Sequence, residues 1–76
     1  MQEWDKRYEA SVKHHLKGVL HMAYFDELDA AWTWVQKQWS ELPHDTMTQN
    51  LYGAAVFDQE DGRRIIAQLG AHDLFQ

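Results

Sequence analysis

Trp4-Asp5-Lys6-Arg7-Tyr8-Glu9-Ala10-Ser11-Val12-Lys13-His14 is the stretch on which the fold turns. Read in steps of two, Trp4, Tyr8, Ala10 and Val12 share one face with Lys6 among them, while Asp5, Arg7, Glu9, Ser11 and Lys13 share the other. That alternation is the pattern of a half-buried strand. Read in steps of four, Trp4, Tyr8, Val12, Leu16 and Leu20 make a helical stripe, and most residues between them are good helix formers. The helix would carry Asp5 and Glu9 inside its own apolar stripe, which favours the strand.

Working outward, Leu16-Lys17-Gly18 reads as a turn, and the uncharged run 19–25 (Val, Leu, His, Met, Ala, Tyr, Phe) reads as a second strand returning on the first, a hairpin over 4–25. Asp26 stands at the N-cap position of a helix predicted over 26–41, with Glu27 and Asp29 in the first turn beside the positive end of the helix dipole. Leu28, Ala31, Trp32, Val35, Trp39 and Leu42 recur at helical spacing, and Pro43 supplies the stop. A polar loop over 43–50 follows. A second hairpin over 51–69 has Asp58-Gln59-Glu60-Asp61-Gly62 at its tip, with Gly62 placed for positive φ. Residues 70–76 form a short tail in which Leu74 and Phe75 either dock or fray. The order is ββαββ in one domain over 1–76, an α+β fold with one helix laid on a four-stranded, mainly antiparallel sheet. A single helix covers a single face, so the other face is polar or a contact surface. Tyr52, Val56 and Ile66, with Met22, are expected there, as the seam of a homodimer or the seat of a partner.

Seventy-six residues without a cysteine build one small core that no disulfide or thiolate metal site can staple, leaving stability to apolar packing or self-association. Four Trp, three Tyr and three Phe supply large rings for that purpose. No stretch reaches the roughly 20 apolar residues of a bilayer span, and the N-terminal residues lack the pattern of a secretory signal. The expectation is a cytoplasmic protein with no membrane contact. The net charge of −5 is unevenly placed. Residues 18–62 hold Asp26, Glu27, Asp29, Glu41, Asp45, Asp58, Glu60 and Asp61 against Lys37 alone, whereas the segments on either side are each slightly basic. Nucleic-acid binding depends on Lys and Arg meeting phosphates, so direct DNA or RNA contact is not expected, and a protein with a basic surface is the better partner.

Chemistry is poorly supplied. His14 and His15 are adjacent and would point to opposite sides of a strand, so only one could meet His21 across the hairpin, and His44 and His72 are remote. A metal site needs more ligands than that, and solvated or cross-strand histidines account for the pattern. Ser11 and Ser40 have no acid-histidine arrangement at a recognisable spacing, and no glycine-rich phosphate loop is present. The sequence therefore predicts no catalytic residue, no metal and no cofactor. The acids are more informative. If the strands alternate in direction, Asp26, Glu27 and Asp29 share a sheet edge with Asp58, Glu60 and Asp61, a negative rim able to steer a basic partner. Helix-start capping and solvated turn residues explain the same acids without a partner. Trp34 falls about 100° from Val35, on the helix flank beside that rim, where a ring either wraps the core or anchors a contact.

The run Tyr24-Phe25-Asp26-Glu27-Leu28-Asp29-Ala30-Ala31-Trp32-Thr33-Trp34-Val35, followed by the hairpin with Asp58 to Gly62 at its tip, resembles small acidic phage and mobile-element proteins, anti-CRISPR proteins among them. The resemblance is one of architecture over about residues 8–69 and carries no motif or site residue. It implies an inhibitor that presents carboxylates where phosphates would sit on a basic, nucleic-acid-binding surface of a host complex. The competing class is a homodimeric accessory or antitoxin-like module without inhibitory activity.

Overall fold

The computed structural model describes residues 5–42 and 50–71. The first strand, β1, is Tyr8–His14, and β2 is Gly18–Phe25. The helix α1 spans Leu28–Ser40; β3 is Tyr52–Asp58 and β4 is Arg64–Gly70, with a single 3-10 turn at Gln59–Asp61 between them. The expected ββαββ order is present. Its four strands form one antiparallel sheet in the order β2-β1-β3-β4. The rival helical reading of the first two dozen residues is thereby excluded, since Tyr8–His14 pairs with β2 on one side and β3 on the other. Trp4, Pro43, Leu74 and Phe75 lie outside the described residues.

Register sets the faces. Tyr8, Ala10, Val12 and His14 stand opposite Asp58, Val56, Ala54 and Tyr52, so these eight share the face on which α1 packs. Ala10, Val12, Ala31, Val35, Ala54 and Val56 form the fully buried core, and among the described residues none larger than valine is completely enclosed. Small side chains let the helix approach the sheet closely, and the rings of Tyr8, Phe25, Trp32, Trp34 and Trp39 pack around that centre as a rim. The expected apolar stripe of the helix is narrower than its spacing suggested, because Leu28 is 41% exposed while Ala31 and Val35 are fully covered.

The helix begins later than expected. Glu27, not Asp26, occupies the N-cap, and its side chain makes no capping hydrogen bond; Asp29 remains in the first turn. The hairpin turns follow the glycines. Gly18 and Gly62 take φ of 79° and 64°, the left-handed conformation a Cβ would oppose. Each outer strand also carries one extra residue. Leu20 interrupts the β1–β2 register between Val12/Lys13, and Ile66 interrupts β3–β4 between Val56/Phe57. Such bulges bend an outer strand and shift which face its side chains take.

The expectation that Tyr52, Val56 and Ile66 share the uncovered face is corrected. Val56 is fully buried beneath α1, Tyr52 sits on the same side with its ring edge-on to His14, and Ile66 is the extra residue of the β4 bulge. Met22, in register with Ser11, does lie on the uncovered face.

Candidate protein-binding end of the sheet

The chain brings the predicted acids to one end of the sheet. Phe25 pairs with Tyr8, and Tyr8 pairs with Asp58, so the start of the helix and the 3-10 turn leave the sheet two strand spacings apart, about 10 Å. Asp26, Glu27 and Asp29 are exposed there, as are Glu60 and Asp61. Trp34 is half-buried and leans on Phe25 at the end of β2, ring centroids 6.0 Å apart.

The two groups of acids differ in what holds them. Arg7 donates from Nε and Nη2 to the two carboxylate oxygens of Asp58 at 3.2 and 3.1 Å, a forked pair that fixes both side chains. Asp58 also accepts from the Glu60 backbone N–H at 3.1 Å, capping the 3-10 turn. The Gln59 N–H donates to the Arg7 carbonyl at 2.8 Å, and its side-chain amide donates to the Lys6 carbonyl at 2.7 Å. The tip of the second hairpin is therefore clamped to the segment entering β1. Hydrogen bonding from Arg7 holds the Asp58 carboxyl below its ordinary value, and the same bond raises the Arg7 guanidinium. Glu60 lies 3.5 Å from Arg7, and Asp61 lies 3.7 Å from Arg64. Asp58 is thus a structural residue with a nearly covered side chain, and Glu60 and Asp61 each have a cation at hand. Asp26, Glu27 and Asp29 have none among the described residues, so most of the net negative charge at this end sits at the helix start, while Asp58, Glu60 and Asp61 share Arg7 and Arg64 and leave one further negative charge at the 3-10 turn.

A second ion pair was not foreseen. On the uncovered face, Arg63 donates from Nε and Nη2 to Glu9 at 2.9 and 3.2 Å, and its guanidinium lies 4.6 Å from the centroid of the Phe57 ring. The Glu9 side chain is only 5% exposed. Arg63 adopts a φ of 60°, unusual for a residue with a Cβ, and the fork to Glu9 together with the ring beneath it holds it there. Nothing in the sequence marks this pair, because Glu9 falls among the outward polar residues of β1 and Arg63 in a hairpin turn.

His14 and Ser40 have structural partners. His14 is buried; its Nδ1 accepts from the backbone N–H of Leu16 at 3.0 Å and of Lys17 at 3.2 Å, closing the first turn. His14 stands opposite Gly18 in the register and His21 opposite Val12, so the two histidines do not meet. Ser11 is buried in β1, and the Ser40 hydroxyl donates to the Lys37 carbonyl at 2.7 Å. Among the described residues no three His, Asp or Glu side chains converge as metal ligands, and no buried side-chain nitrogen or oxygen lacks a partner. No described helix is long and apolar enough to cross a membrane. An open cleft lined by Trp39, Asn50, Leu69 and Gly70 lies at the far end of the sheet, and none of these described lining residues is titratable.

No family model matches the chain, and no curated protein or solved structure matches it either.

Proposed function

We propose that this chain is a non-catalytic protein-binding inhibitor that uses the start of α1 to occupy a basic, nucleic-acid-binding surface on a partner. The observation that carries the reading is the contrast at one end of the sheet. Asp58 is consumed by Arg7, whereas Asp26, Glu27 and Asp29 are exposed, with no cation beside them among the described residues. Exposed, unneutralised carboxylates steer association with a basic surface and set its salt dependence. Trp34, half-buried against Phe25, supplies an aromatic flank to the same end. Asp58 belongs to the scaffold of this surface and not to its contacts, while Glu60 and Asp61 add charge at its margin.

The test is a comparative capture from host lysate, with the retained proteins identified by mass spectrometry. Wild type is set against Asp26→Asn/Glu27→Gln/Asp29→Asn and against Asp26→Lys/Glu27→Lys/Asp29→Lys, all checked for unchanged far-UV circular dichroism. The expected result is a basic protein held by wild type, held less by the neutral variant and lost from the reversed one. Equal retention by all three overturns the proposal.

A further inference from the structure

We infer that the first hairpin turn is an acid-released latch, shut only while the His14 imidazole is neutral with its proton on Nε2, and opened when Nδ1 takes up a proton from solvent. The turn is residues 15–17, between His14 at the end of β1 and Gly18 at the start of β2. Each of its backbone N–H donors has an acceptor. The His15 N–H donates to the Leu51 carbonyl at 2.7 Å, and those of Leu16 and Lys17 donate to His14 Nδ1 at 3.0 and 3.2 Å. The last two therefore share one imidazole lone pair.

That sharing fixes the chemistry of the ring. An imidazole nitrogen accepts only when it carries no hydrogen, so the neutral ring bears its proton on Nε2. The next proton goes to Nδ1. Both nitrogens of an imidazolium are donors, so a protonated ring would set an N–H against the N–H groups of Leu16 and Lys17. The closed turn and the charged ring are incompatible.

The groups around His14 favour opening over accommodation. His14 is 8% exposed, and Tyr52 of β3 stands edge-on to it with ring centroids 4.7 Å apart. From β2 the register sets uncharged Gly18 opposite, while His21 stands opposite Val12 and is exposed. Lys17, in the turn itself, carries the same sign as an imidazolium; Lys13 stands opposite Gly53, on the sheet face away from α1, and His15 is exposed. The carboxylates of β1 and β3, Glu9 and Asp58, are held by Arg63 and Arg7 toward the other end of the sheet. The charged residues of α1, Asp29 and Lys37, are both exposed. Opening is local, because residues 15–17 are exposed and water takes over the freed N–H groups, while the β1–β3 ladder lies outside the turn. The device acts at the end of the sheet opposite the helix start, and it stands independently of the partner proposed for that start.

The test is NMR of the full chain between about pH 8 and about pH 5, the interval in which histidine is the side chain that ordinarily changes charge. At the upper limit the ring nitrogens of His14 should report hydrogen on Nε2 and an acceptor at Nδ1. On acidification the Leu16 and Lys17 amides should lose hydrogen-exchange protection by at least about tenfold, with the same midpoint as Nδ1 protonation, while Ala10 and Val12 in β1 keep theirs. His14→Asn is the second arm. Its Oδ1 stands as many bonds from Cα as Nδ1 does and accepts without titrating, so the turn should stay closed throughout the range. His15→Gln and His21→Gln should respond as wild type does. A neutral ring with its proton on Nδ1, turn amides that keep their protection to the lower limit, loss of Ala10 and Val12 protection in step with the turn, or an acid response that survives His14→Asn overturns the inference.

Discussion

Alanine at Gly70 should be among the most damaging single substitutions in this chain, and the structure gives both the size of the effect and a control for it. Gly70 ends β4 with a φ of 74°, and a Cβ built there would overlap the Trp39 ring and the Tyr52 carbonyl oxygen. The backbone term alone costs about 1 kcal/mol, as for any L-residue forced into the left-handed region. Steric overlap in a packed site adds about 1–3 kcal/mol, and here one of the obstructing atoms is main chain that cannot rotate away. The sum, about 2–4 kcal/mol, is a large share of the roughly 4–11 kcal/mol expected for a domain of this size. Gly62 is the control. Its φ is 64°, and nothing lies within 4 Å of a Cβ there, so Gly62→Ala should lose only the backbone term. Urea unfolding followed by tryptophan fluorescence separates the two. With a slope near 1 kcal/mol/M, Gly62→Ala should lower the midpoint by about 1 M and Gly70→Ala by about 2 M or more. Equal shifts would refute the close approach of Trp39 to the end of β4, and with it the way the helix reaches the far side of the sheet.

Two further outcomes follow from the ion pairs. Arg63→Met keeps an aliphatic chain over Phe57 but strands the covered Glu9 carboxylate, and should lower stability by about 1–3 kcal/mol; adding Glu9→Gln should recover part of the loss, and no recovery in thermal melts would argue against the pair. For Asp58, the folded carboxyl titrates below its ordinary value, so it contributes stability at pH above about 4 that is lost as pH falls through the folded value. Asp58→Asn should therefore flatten the acid limb of a stability–pH curve, and a curve parallel to wild type would contradict the Arg7 fork.

The element order was legible because only one period suits the acids: the four-residue repeat of Trp4, Tyr8, Val12, Leu16 and Leu20 would enclose Asp5 and Glu9, whereas alternation sets both on the outward side. The helix repeats its apolar residues at three and four, and β1 alternates its residues in twos. The face of β3 was not legible, and the reason lies in that strand. Gly53 through Phe57 is a run of small and apolar residues, all of them buried, so this central strand offers no polar–apolar alternation from which to assign Val56 inward or outward. The extra residues Leu20 and Ile66 compound this, since a bulge moves later side chains to the other face without any mark in the composition. The shared end of the two acidic groups could be foreseen from strand direction alone. That Arg7 would claim Asp58 could not, because the pairing joins residues 51 apart in the chain and depends on the β1–β3 register. Glu9 and Arg63 show the same limit: each reads as solvated surface, and only the fold brings them together over Phe57.

The affinity of the captured basic partner for wild type and for Asp26→Lys/Glu27→Lys/Asp29→Lys, measured at low and at high salt, bears most directly on the role given to the helix start. A loss of at least about tenfold at low salt, shrinking as salt screens the charges, is the result that role requires. Matching affinities at low salt would show that these carboxylates are ordinary solvated surface and that recognition lies elsewhere on the molecule.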